Sequence, residues 1–169
     1  MRILGIDPGL NVTGYGLIET DNNSYSLLEA GVIKSPYKYS LPRRLSHIHN
    51  ELSNLINEYK PQSLVLEKIF SHYKFPATVI SIAYARGVAC LLCGLNDIPL
   101  HEYAATRIKK ALTGKGHASK EQVKRLVFYM LNINNTDCYA DATDALALAI
   151  GHCRLSNTVL SICKMVNSR

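Results

Sequence analysis

Several large classes of protein are excluded by what this chain lacks. No apolar run approaches the ~20 residues of a membrane span. Met1-Arg2-Ile3 enters a strand directly, with no charged and then apolar leader, so a protein that is not exported is expected. The five cysteines are odd in number and fall in no short disulfide frame, which predicts reduced thiols and a cytoplasmic location. Cys90 and Cys93 form a lone pair inside a helical stretch; without a second pair they read as small buried hydrophobes rather than a zinc or redox site. The histidines offer no metal centre either: His47, His49, His101 and His152 stand apart, and His72 and His117 are at most phosphate contacts. Gly9 and Gly14 have the spacing of a phosphate loop, but Tyr15-Gly16 stands where that loop needs Lys and Ser/Thr, so a P-loop NTPase is rejected.

Acidic residues are nearly missing from one segment. Between Arg107 and Arg125 there are seven cations (Arg107, Lys109, Lys110, Lys115, Lys120, Lys124 and Arg125) against Glu121 alone. The chain's whole net charge of +6 is therefore accounted for there, which is the footprint of a polyanionic partner such as nucleic acid. A solvated helical face that is merely basic fits the segment equally well on its own.

What is present fits one soluble globular domain: 169 residues, 47% hydrophobic, with mean hydropathy near zero. Ile3-Leu4-Gly5-Ile6 is a short apolar run that ends in Asp7 and a Pro8-Gly9 turn, which reads as a buried strand with a carboxylate at its mouth. A carboxylate there is costly to desolvate and calls for a cation or donors. Residues 12–19 and 25–33, joined by a polar turn, complete an antiparallel meander of three strands. Pro36 and Pro42 bracket a linker. Leu45, Ile48, Leu52, Leu55, Ile56 and Tyr59 then recur at helical steps, closed by Pro61. Ser63-Leu64-Val65-Leu66-Glu67 repeats the opening pattern, so a parallel crossover should bring Glu67 beside Asp7 at matching strand ends.

Downstream, residues 70–76 mix aromatic and cationic groups in a loop where Phe70 could stack on an unpaired base. Residues 77–95 form a helix apolar nearly all round, buried or at an interface. Residues 98–103 form a fifth, edge strand. The Gly114-Lys115-Gly116-His117 break splits the basic segment into two helices, the second opened by a Ser119-x-x-Gln122 capping box. Its apolar face is Val123, Leu126, Val127, Met130 and Leu131. The last helix begins near Asp141, and Asp141 and Asp144 share one face, ~4.5 Å apart along the axis. One domain is expected over residues 1–153, with 154–169 a partly ordered tail.

Asp7, Glu67, Asp141 and Asp144 are thus four candidate carboxylates. All-oxygen ligation suits Mg²⁺ or Mn²⁺. Two such ions ~4 Å apart can activate a water and stabilise the leaving oxygen of a phosphoryl displacement. Beside a basic segment, that chemistry points to phosphodiester hydrolysis on DNA or RNA.

Asp7-Pro8-Gly9, Glu67-x-x-Phe70, Ala85-Arg86-Gly87, Tyr103-Ala104-Ala105, Gly114-x-Gly116 and the run from Asp141 to Ala147 resemble, in order and spacing, the RuvC family of Holliday junction resolvases. The resemblance extends to about His152. It implies an α/β, RNase H-like fold: a mixed five-stranded sheet, meander plus parallel strands, flanked by helices. It further implies a homodimer acting on four-way junction DNA with two Mg²⁺ per subunit, a role Mn²⁺ can take. Each subunit would nick one of two like-polarity strands, leaving 5′-phosphate ends, in recombination and repair. A branch-migration helicase complex of the RuvA and RuvB type is the implied partner. By motif, Asp7, Glu67, Asp141 and Asp144 are the implied catalytic metal ligands. Phe70 resembles the aromatic that stacks on a junction base, and Lys109 and Lys120 match lysines near the scissile strand. The helix around Arg86-Gly87 resembles a dimer contact. Lys68 stands where related sequences often carry glutamine. With Lys115 it joins the candidate DNA contacts. Asp137 reads as a loop or cap residue. The competing expectations are another RNase H-like nuclease, acting on RNA–DNA hybrids, and a non-catalytic junction-binding module. An actin-like kinase would need a second such domain.

Overall fold

The computed structural model describes residues 1–21, 24–69, 76–133 and 140–167, with Pro76, 140–141 and 157–167 described by backbone alone. Among the described residues five strands form one sheet: β1 (Arg2–Asp7), β2 (Val12–Asp21), β3 (Ser24–Lys34), β4 (Ser63–Glu67) and β5 (Leu100–Tyr103), in the order β3-β2-β1-β4-β5. β1, β2 and β3 pair antiparallel; β4 lies parallel to both β1 and β5. The meander and the crossover that brings Glu67 alongside Asp7 are as the sequence predicts.

The crossover is α1 (Leu41–Tyr59), which begins on the proline-led turn itself rather than after it, because Pro42 sits where a helix needs no donor. It ends at Lys60 in a left-handed conformation. α1 and α2 (Pro76–Leu95) cover one face of the sheet, where Leu4, Ile6, Leu64 and Leu66 meet Ile48, Leu52, Ala85, Ala89 and Leu92. Residues 77–95 are long and apolar enough, by length and composition, to cross a membrane, although no single run reaches that length. Arg86 and the small residues interrupt the run, but its average stays strongly apolar. One side of α2 is buried on the sheet, and the other exposes Ile80, Tyr84, Leu91 and Leu95.

The opposite face carries α3 (Ala105–Thr113), α4 (Lys120–Met130) and α5 (Ala140–Asn167). Ile3, Ile18 and Val65 pack there against Ile108, Val127, Leu146 and Ile150. The predicted capping box is formed: Gln122 N–H donates to Ser119 Oγ, and the Ser119 N–H to Gln122 Oε1. α5 runs on past Cys153 to Asn167, beyond the residue 153 domain end expected from the sequence.

Side-chain alternation decides which face each strand residue serves. Leu4 and Ile6 point to α1 and α2, so Gly5 and Asp7 point to α5. Leu64 and Leu66 likewise send Val65 and Glu67 to the α5 side. A Cβ on Gly5 would stand 2.0 Å from the Ala145 carbonyl oxygen, and one on Gly16, its partner on β2, 2.6 Å from the Leu146 side chain. Two facing glycines let α5 lie directly on the strands that carry Asp7.

Candidate active site

Asp7 and Glu67 end two adjacent parallel strands, in register one residue beyond the Ile6–Leu66 pair. α5 crosses above them and contributes Asp144. These three acids line a cleft of about 300 Å³ together with Ala105, Ile108, Lys109, Lys120 and Val123. Asp141 lies on the first turn of α5, one turn before Asp144; its side chain is outside the described residues, as are Phe70, His72 and Asp137. Lys68 lines an adjoining cavity of about 610 Å³ that shares Asp7 and Glu67 and is otherwise walled by Ile69, Val79, Ile82 and the start of α3. Lys115 is elsewhere. It faces a shallow hollow with Gln122, Arg125 and Tyr129.

The electrostatics of the cleft are those of crowded acids beside two cations. Glu67 has its proton affinity raised, first by partial desolvation and then by the Asp144 charge, while Lys120 and Lys109 oppose the shift. Lys120 Nζ donates to Asp144 Oδ2 at 2.8 Å, so a cation already sits on one carboxylate of the cleft. Its side chain is 80% exposed, and it can leave that position without disturbing the core.

The frame behind the acids is tied down by groups to which sequence reading gives no part in the cleft. Arg44, buried on α1, donates to the Leu10 carbonyl (2.8 Å) and to the Asn11 side chain, holding the turn that follows Asp7. Thr13 Oγ1 donates to the Gly9 carbonyl at 2.7 Å. Arg86 donates to the Glu67 main-chain oxygen. Tyr103, next to Glu67 across the ladder, shares a 2.9 Å hydrogen bond with His152 of α5, whose ring stacks on His101. No local sequence pattern signals these contacts, since each joins residues at least 19 positions apart except that of Thr13.

The donor set suits a hard divalent cation: carboxylate oxygens and no thiol or imidazole. Among the described residues no three such side chains converge on a single point. The fit is therefore one of donor chemistry and charge, with the Lys120 ammonium standing where a cation is wanted.

The RuvC family model, described as crossover junction endodeoxyribonuclease RuvC, matches residues 3–152. The chain belongs to the RuvC family. A crossover junction endodeoxyribonuclease RuvC of Rhodopirellula baltica is 42% identical over 93% of this chain and 89% of the relative. One of Pseudothermotoga lettingae is 38% identical over 93% and 96%. The structure of T. thermophilus RuvC in complex with Holliday junction substrate superimposes with a TM-score of 0.88 at 25% identity, covering 94% of this chain and 96% of that one. The five-stranded mixed sheet with helices on both faces is accordingly the RNase H-like fold of RuvC. RuvC-type nucleases are metal-dependent.

Proposed function

We propose that this chain is a structure-selective endonuclease that resolves four-way DNA junctions by paired, symmetric phosphodiester hydrolysis. The observation that carries the reading is the single cleft in which Asp7, Glu67 and Asp144 meet Lys109 and Lys120. Asp7, Glu67, Asp144 and, from the adjoining turn of α5, Asp141 would hold two Mg²⁺ per subunit. When bound, the ions supply an activated water and charge stabilisation at the leaving oxygen. The chain's own part is to hold the acids ionised and aligned, to bring a phosphate to them through Lys109 and Lys120, and to keep the strand ends rigid. Lys120 exchanges Asp144 for the backbone of the strand being cut. Lys68 flanks this path as a further phosphate contact and Phe70 takes a junction base, while Lys115, in its separate hollow, would meet DNA backbone farther from the cleft.

The reading extends to a homodimer. Ile80, Tyr84, Leu91 and Leu95 make an apolar stripe along the outer side of α2, with Gly87 and Gly94 open between them, and such a stripe supports self-association. Residues 1–153 are the nuclease unit, and α5 extends beyond it through residues 154–167. Free thiols at Cys90, Cys93 and Cys153 suit the cytoplasm, and the junction would be delivered by a RuvA and RuvB type motor.

Asp7→Asn tests the metal assignment. It keeps the shape of the side chain and removes the charge, so four-way junction binding should persist while Mg²⁺-dependent cleavage falls by 10³-fold or more, on the order expected for loss of an essential group. Cleavage at the wild-type rate would refute the assignment.

A further inference from the structure

Arg86 sits on α2, across the sheet from the cleft, and has no part in the reading above. Its side chain is only 12% exposed and makes two contacts with one guanidinium. Nη1 donates to the Glu67 main-chain oxygen at 2.7 Å, and Nη2 pairs with the Glu102 carboxylate on β5. Glu102 is in register with Leu66, and the next ladder bond, Lys68 N–H to the Tyr103 carbonyl, closes the strand pair at 2.8 Å. The fork therefore grips both strands at the point where the Glu67 side chain turns towards the cleft. A guanidinium is planar and presents its donors in a fixed geometry; an ammonium cannot hold the same two acceptors in the same way.

We propose that Arg86 is a positioning residue for Glu67, fixing the end of β4 from behind so that the carboxylate meets a divalent cation at the right place. This rests on the metal-dependent nuclease reading of the same cleft. Arg86 reaches neither substrate nor reacting atoms; it acts through the Glu67 backbone. Charge alone argues the other way. Deleting a cation beside a carboxylate cluster should tighten divalent-cation binding, whereas loss of positioning should weaken it.

That opposition makes the test. Mn²⁺ binding to the full chain, without DNA, is measured by paramagnetic resonance for wild type, Arg86→Met and Arg86→Lys, well below each variant's melting temperature. Both variants are expected to bind Mn²⁺ about 10-fold or more weakly, the range typical for groups that support metal ligands. Arg86→Lys keeps the charge and decides the matter if Arg86→Met does not fold. Wild-type affinity in Arg86→Lys, or wild-type or tighter affinity in Arg86→Met, overturns the proposal. Junction cleavage is followed in parallel. A wild type that binds Mn²⁺ but cuts no junction overturns the nuclease reading and leaves the affinity comparison to judge Arg86.

Discussion

Gly5 sets the distance between the two halves of the site. It lies two residues before Asp7 on the same face, and a methyl group there would overlap the Ala145 carbonyl, backbone that yields only if α5 moves. α5 carries Asp144, so the substitution acts on stability and on the site together. Gly5→Ala should destabilise the fold by about 1–3 kcal/mol or more, as overpacking does, and slow cleavage well beyond the loss of folded protein. Urea unfolding and single-turnover cleavage on one preparation check this; an unchanged rate per folded molecule would show that α5 spacing does not set the site. At this scale much was legible. Asp7 and Glu67 announced themselves as acids closing apolar strands, and Asp144 as an acid on an apolar helix face. The grip of Arg86 on Glu67 was not legible, because it depends on which β5 residue faces α2, and that is fixed by a strand register no local pattern records.

Between elements, the tie from β5 to α5 carries a pH dependence. His152 is buried, and burial together with the neighbouring His101 lowers its pKa from 6.5 to about 4. Its folded pKa lies below its unfolded one, so the unfolded chain takes up the proton first as pH falls. The stabilising contribution is complete above pH 6.5 and is lost progressively towards pH 4. The full loss is roughly 3 kcal/mol at 1.36 kcal/mol per unit. His152→Gln should flatten stability across that window in urea titrations at stepped pH; an unchanged slope would remove His152 as its source. The thiols of Cys93 and Cys153, both pushed up to about 11 by burial, stay protonated and take no part near neutrality. Elements with a clear period or cap, such as α1 and the Ser119 box, were legible from sequence. The run of α5 past Cys153 was not picked out, although Leu155, Val159, Ile162 and Val166 recur there at helical steps of four and three. Nor was the pairing of His101 with His152, which a parallel strand and a helix bring together from 51 positions apart.

For the whole molecule, charge and shape converge on one side. The segment that holds the excess positive charge folds as α3, a turn and α4, and it flanks the cleft with Lys109 and Lys120. The apolar stripe of α2 lies on the other face of the sheet. The proposed dimer through that stripe would leave both clefts open, one for each of two strands, as symmetric resolution requires. The basic segment was legible from sequence as the seat of the excess positive charge, but not which of its lysines reach the acids, since Lys115 turns to a separate hollow. The most direct test incubates the wild-type chain and Mg²⁺ with a synthetic mobile four-way junction, beside an RNA–DNA hybrid, and maps every cut. Paired nicks at symmetric positions on two like-polarity strands, with 5′-phosphate ends and the hybrid intact, are predicted. Unpaired nicks, or preferential cutting of the hybrid, would contradict the account.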